Sequence, residues 1–152
     1  MITRDLFRLL EPIAVRWGDM DSMGHVNNAK YFTYCESARM RYFAAIGMDR
    51  HQEGAHGPAL VAATLNFRRQ VHYPAELEVG TRVVQVGRSS FEQEYAVFRC
   101  DTGEVVADGT SVCAWVDYAA GRAAPLPAGL REAMRRWEAG EVEGPEGAGS
   151  GD

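Results

Sequence analysis

The chain alternates between two hydrophobic rhythms. Ile13, Val15 and Trp17 are separated by single residues, the period of a half-buried strand, and Gly18 and Asp19 close that run. From 29 to 46 the apolar positions Tyr31, Cys35, Ala38, Tyr42 and Ala45 fall four, three, four and three residues apart. That spacing draws one stripe along a helix of about five turns. Asn27 or Asn28 is placed to cap this helix and Gly47 to end it. Residues 48–58 predict a loop. Beyond it Val61, Ala63, Leu65, Phe67, Arg69, Val71 and Tyr73 alternate along one strand, pointing one way, until Pro74 stops the run. Further strands are predicted over 77–86, 91–100 and 105–116, joined by Gly87-Arg88-Ser89-Ser90 and by the tight-turn sequence Asp101-Thr102-Gly103. A last amphipathic helix over 126–138 aligns Leu130, Met134 and Trp137.

Long strands with short connections favour antiparallel pairing over parallel βαβ units. The expected fold class is therefore α+β, with about five antiparallel strands packed on one long helix. That helix is apolar on more than one face, so a curved sheet should wrap it. Residues 1–138 read as one domain. Residues 139–152 are glycine-rich and acidic with Val142 the only large apolar side chain, and predict a disordered tail.

Composition narrows the function classes. At 152 residues and 46% hydrophobic the chain can bury one core, and a net charge of −5 works against nucleic acid as a partner. Its only adjacent basic pairs are Arg68-Arg69 and Arg135-Arg136. Cysteines at 35, 100 and 113 are odd in number and lack CxxC spacing, so they predict small buried residues in a reducing compartment, the cytoplasm. The first dozen residues, MITRDLFRLLEP, carry charges through their apolar positions and no small-residue cleavage site, unlike a signal peptide. No run approaches the roughly 20 apolar residues of a membrane span. No membrane partner is expected.

The candidate chemistry gathers between the first strand and the long helix. Residues 19–39 read DMDSMGHVNNAKYFTYCESAR. This stretch resembles the N-terminal signature of the 4-hydroxybenzoyl-CoA thioesterase family of hotdog-fold proteins, D-x-D-x-x-G-H-V-N-N-x-x-Y-x-x-x-x-E-x-x-R. Asp19, Asp21, Gly24, His25, Val26, Asn27, Asn28, Tyr31, Glu36 and Arg39 fall on its positions. The likeness continues through LNFRRQVHYPAELEVG, GRSSFEQEY and VDYAAGRAAPLP, and covers about residues 10 to 135.

The resemblance implies a hotdog fold, hydrolysis of acyl-CoA or acyl-carrier-protein thioesters without a cofactor, and a homodimer or homotetramer joined at sheet edges. It also implies that the second carboxylate of the D-x-D pair, Asp21, is catalytic. Thioester hydrolysis needs a group that polarises the carbonyl and one that attacks it or activates water. The unpaired N–H groups of a helix first turn, near Asn28, supply the first, and Asp21 supplies the second as nucleophile or general base. His25 is a candidate for proton transfer or for orienting Asp21, with a structural histidine the competing reading. Asp19 reads as a turn or capping residue. Gly24 serves backbone conformation, and Gly24, Asn27 and Tyr31 are candidates to line the substrate, Tyr31 also reading as core. Glu36 and Arg39 suit an intrahelical ion pair, a subunit contact or the substrate channel. Arg88 and Ser90 are candidates for the CoA phosphates, with Arg68 and Arg69 as alternatives. The acyl pocket is expected near Tyr34, Ala38 and residues 60–63.

Other chemistries find no support. The chain has no G-x-S-x-G elbow, H-E-x-x-H or P-loop, and His51 and His56 lack the ligand set a metal needs. A hydratase on the same fold would need another signature, in which Asp and His stand about five apart further along the chain. A non-catalytic acyl-CoA or acyl-carrier-protein binder is the alternative to an enzyme.

Overall fold

A computed structural model describes residues 1–142. Strands β1 (Leu10–Ala14), β2 (His56–Phe67), β3 (Glu76–Val86), β4 (Ser90–Arg99) and β5 (Val105–Asp117) form one antiparallel sheet in the order β1-β3-β4-β5-β2. A two-residue strand, β6 (Arg122–Ala123), adds to β5. Helix α1 (Asn28–Ala45) is the long helix, and α2 (Ala128–Glu138) follows the sheet. This is the hotdog architecture.

The sheet curls around α1 because that helix has apolar side chains over most of its girth. Tyr31, Tyr34, Cys35, Ala38, Tyr42 and Phe43 are all buried. They divide between two clusters. The N-terminal half of α1 packs with Val71, Leu77, Val79, Val97, Val106 and Ala107. The C-terminal half, Tyr42 and Phe43, packs with Phe91, Trp115 and, from α2, Leu130, Met134 and Trp137. Four elements pass from one cluster to the other through a buried polar residue: Thr81 on β3, Gln93 on β4, Ser111 on β5 and Arg39 on α1. A polar layer thus crosses the core.

Several boundaries differ from the hydrophobic pattern, each for a local reason. The first strand ends at Ala14, and Trp17 begins a single 3-10 turn, Trp17–Asp19, with its ring exposed. Asp19 Oδ2 accepts the Arg16 N–H at 3.1 Å, and this side-chain bond overrides the alternation. Strand β2 starts at His56, inside the expected loop, and stops at Phe67. A bulge between Leu60 and Ala62 breaks its phase, and the N–H groups of Arg68 and Arg69 both donate to the Val106 carbonyl. The positions from 61 to 73 therefore do not all point one way: Val71 is buried while Val61, Phe67 and Tyr73 are exposed. Helix α2 starts two residues later than expected because Leu126 precedes Pro127, which disfavours helical backbone.

Ala139 to Val142 remain against the fold, with the Val142 carbonyl accepting a bond from Arg8 and the Glu141 carboxylate facing Arg135. The rest of the expected tail, 143–152, lies outside the described residues. No helix among the described residues is long and apolar enough to cross a membrane.

Trp137 is the pin of α2: its ring is 1% exposed, meets Tyr42 edge-on and lies under the Arg8 guanidinium at 4.5 Å. Trp137→Ala should cost roughly 3 to 5 kcal/mol in urea unfolding. A loss below about 1 kcal/mol would mean that α2 contributes little to the core.

Candidate active site

The polar stretch between β1 and α1 folds into a tight turn held at both ends. Met20 and Val26 form an antiparallel bridge, the Asp21 N–H donates to the His25 carbonyl at 2.9 Å, and the Gly24 N–H returns to the Asp21 carbonyl at 3.0 Å. Gly24 sits at φ +80°, where a side chain would be strained. Inside this turn Asp21 Oδ1 accepts the Met23 N–H at 2.9 Å, and the rest of its exposed carboxylate faces outward.

The two aspartates have opposite surroundings. Asp19 is buried, and its Oδ2 accepts the Tyr34 hydroxyl at 2.6 Å as well as the Arg16 N–H. Burial, with the Asp19 carboxylate beside it, pushes the Tyr34 phenol well above its ordinary pKa. Asp19 is a structural anchor joining turn to helix. Asp21, two residues on, is exposed, and its carboxylate accepts only the Met23 N–H among the described residues.

The helix entrance completes the picture. The Val26 N–H donates to the Val71 carbonyl at 2.8 Å, and the Asn27 N–H donates to the Asp19 carbonyl at 2.9 Å. Asn27 caps α1, its Oδ1 accepting the Ala29 N–H at 2.9 Å, while its carbonyl accepts the Lys30 N–H. The Asn28 N–H has no protein partner among the described residues. It is a bare donor at the positive end of an 18-residue helix.

His25 is half-buried, its ring edge-on to His72 at 5.0 Å, and His72 Nδ1 lies 2.7 Å from the Gly24 carbonyl. The sequence reading missed His72, which is 47 residues from His25 and carries no local pattern. Tyr31 is buried among Tyr34 and Phe67, away from solvent. Gly24 and Asn27 are exposed at the turn.

Arg88 and Ser90 lie elsewhere. The turn that carries Asp21 is tied to the start of β3, since the Val15 N–H donates to the Ala75 carbonyl and Ala14 pairs with Glu76. The 87–90 turn follows the end of that strand, eleven residues away, or about 35 Å along it. The Arg88 carbonyl there accepts the Leu126 N–H and the Arg131 guanidinium. Within one chain these groups do not meet Asp21. The alternative phosphate partners are engaged: Arg68 makes a two-pronged pair with Asp108 at 2.9 and 3.2 Å, and Arg69 meets Glu104 at 2.7 Å. The Arg68 guanidinium holds the Asp108 carboxyl below the usual carboxylate range.

Beside α1 a cavity of about 140 Å³ is lined by residues including Phe32, Thr33, Leu60, Ala63 and Arg39. Of the residues expected at an acyl pocket, Leu60 and Ala63 are on its wall. Tyr34 and Ala38 face the core instead.

The exposed Asp21 carboxylate lies on the turn that leads into α1, and the sheet curls about that one helix. Residues 15–134 match the profile of the Thioesterase-like superfamily. The chain belongs to that superfamily. A thioesterase of Thermus thermophilus, solved with coenzyme A and Zn, is 38% identical to this superfamily member. Their match covers 85% of this chain and 98% of that one with a TM-score of 0.74. The DHNA-CoA thioesterase of Staphylococcus aureus, at 21% identity and TM-score 0.77 over 90% of this chain and 98% of its own, shares the fold. Acyl-acyl carrier protein thioesterase ATL2 of Arabidopsis thaliana is 25% identical over 107 residues, 69% of this chain and 57% of that protein. The chain thus spans little more than half the length of this chloroplast relative.

The contrast between the two aspartates gives a stability test. Asp19→Ala strands the Tyr34 hydroxyl and the Arg16 N–H, and should cost roughly 2 to 3 kcal/mol. Asp21→Asn should stay within about 0.5 kcal/mol of the parent. Urea titration of both variants decides, and equal losses would contradict the division of roles.

Proposed function

We propose that this chain is an acyl-CoA thioesterase in which Asp21 and the Asn28 N–H act on the two sides of the thioester carbonyl. The observation that supports it most is their nearness in the chain: an exposed carboxylate on the turn that leads into α1, and at the start of that helix a backbone donor left without a partner among the described residues. The carbonyl oxygen, resting on Asn28 N–H, gains charge as the carbon becomes tetrahedral, and the helix dipole stabilises it. Asp21 takes a proton from the attacking water, or attacks the carbon itself to form an anhydride that water then opens. In either route the C–S bond breaks, the thiolate leaves and takes up a proton, and the products are the free acid and the thiol. In this reading His25, whose ring meets His72, shuttles that proton or orients Asp21.

The reading includes a second copy of the chain. Strand β2 ends the sheet with one edge unpaired, and Leu60, Val61 and Phe67 stand exposed on it. Phe32 and Met40 on α1 are exposed as well. A two-fold pairing of β2 edges covers this apolar surface. Because such a pairing is antiparallel, it also carries one chain's 87–90 turn toward the other chain's Asp21. Arg88 and Ser90 then reach the CoA phosphates from the partner. An acyl carrier protein carries the same phosphopantetheine thioester, so the relative's printed activity fits the same site.

Thiol release from a panel of acyl-CoA esters, aromatic and aliphatic, tests the chemistry. Asp21→Asn should lower kcat by at least about a hundredfold in a folded protein. Equal turnover by both proteins would sink the mechanism, and no turnover by the parent on CoA or carrier-protein esters would favour a binding protein. Arg88→Ala should raise KM for CoA esters several-fold and leave the matching pantetheine esters, which lack the nucleotide, unchanged. A KM change on both substrates would remove Arg88 from the phosphate path.

A further inference from the structure

Arg39 is a cation built into the core without an adequate counter-ion. Its residue is 6% exposed, and its one hydrogen bond among the described residues runs from Nη1 to the Tyr95 hydroxyl at 3.2 Å. The nearest carboxylate, Glu36, stands 3.9 Å from Nη2, beyond hydrogen-bond reach, and its own side chain is 63% exposed. A guanidinium has five N–H donors, and the ones that Tyr95 does not hold are not among the buried atoms without a partner, so they open on the space beside them. Around it the polar layer is also incomplete. Tyr95 shares a 2.7 Å bond with Ser111, Gln93 donates to Thr81, and Gln93 Oε1 is buried with no partner.

This unmatched cation lines the 140 Å³ cavity between α1 and the β2 edge. The cavity is about the size that holds a benzene ring. Its lining begins at Phe32 and Thr33, one turn past the free Asn28 N–H, and runs along α1 to Arg39, with Leu60, Ala63 and Leu65 on the apolar side. From Asn28 to Arg39 the helix rises about 16 Å, and an arginine stem leans back toward the helix N-terminus, which shortens the span. The cavity therefore has an apolar wall on β2, a cation at Arg39 with the largely exposed Glu36 carboxylate on the same rim, and an end that lies one turn from Asn28.

We propose that Arg39 is a specificity-determining residue that selects acyl groups bearing a carboxylate at the end remote from the thioester. A carboxylate there would take two N–H donors of the guanidinium at once, the pairing its planar fork is shaped for. A ring or a chain of about six carbons fits both the volume and the path. The inference rests on the thioesterase reading for its choice of substrate, and is independent of whether Asp21 attacks the carbon or activates water.

The test compares adipoyl-CoA with hexanoyl-CoA and para-carboxybenzoyl-CoA with benzoyl-CoA, each pair differing in the remote carboxylate alone. The parent should favour the acid-ended member of at least one pair by tenfold or more in kcat/KM, with Arg39→Met abolishing the preference and Arg39→Lys keeping part of it. The same pairs are titrated by calorimetry against Asp21→Asn, with and without Arg39→Met, so that binding is read without turnover. If no ester is hydrolysed, the proposed function fails; a tenfold tighter binding of the acid-ended ester that disappears with Arg39→Met still supports this inference. Equal affinities within both pairs, or a preference that survives Arg39→Met in a folded protein, overturns it.

Discussion

The rest of the molecule depends on the need to enclose α1. A helix with Tyr31, Tyr34, Cys35, Ala38, Tyr42 and Phe43 around its axis cannot lie on a flat sheet and leave half of that surface in water. The five strands curl to surround it, and α2 closes the end that the sheet leaves open. Enclosure fixes where the helix must begin. Its N-terminus emerges at the sheet end where β3 starts, and the orphan donors of its first turn must find partners there. Asn27 satisfies one donor with its side chain and Asp19 holds the Asn27 N–H, which leaves the Asn28 N–H exposed beside the turn that presents Asp21. The site is the unsatisfied remainder of a packing problem.

That origin explains why the aspartates diverge although they are two residues apart. Asp19 lies on the inward side of the turn, where the Tyr34 hydroxyl needs an acceptor, and its carboxylate is consumed there. Asp21 lies past the Met20 to Val26 bridge and is exposed, its carboxylate accepting a single bond, from the Met23 N–H. A one-residue shift of the turn would exchange their surroundings. The Gly24 backbone at φ +80° and the His72 contact to its carbonyl both work against such a shift.

Local relations were legible in the sequence, and distant ones were not. The period of α1, its cap at one of the two asparagines and the three central strands all arise within a few neighbouring residues. The edge strands were less legible because burial does not enforce their phase: β2 is largely exposed and bulged, and β1 yields to the bond from Arg16 to Asp19. His72 escaped notice for a different reason. Its link to Gly24 joins positions 48 residues apart, and no spacing rule reaches that far. Arg39 shows the same limit: its i,i+3 spacing from Glu36 suggests an ion pair, yet the hydrogen bond it makes is to Tyr95, 56 residues away.

Arg39 also shows what a buried charge does to a core. The apolar residues along α1 divide between two clusters on either side of Arg39, and Thr81, Gln93 and Ser111 are the buried polar residues of the strands between the same two clusters. A stability argument alone disfavours this arrangement, because replacing a buried ionic group by apolar residues of similar volume is often neutral or stabilising. The unmatched guanidinium is more economically understood as one half of a pair whose other half arrives with the substrate. On that view the polar layer keeps Tyr95 and Ser111 in place behind the cation, the β2 edge covers the apolar middle of the path, and the helix that forced the sheet to curl also sets the distance between the reacting carbonyl and the group that selects it.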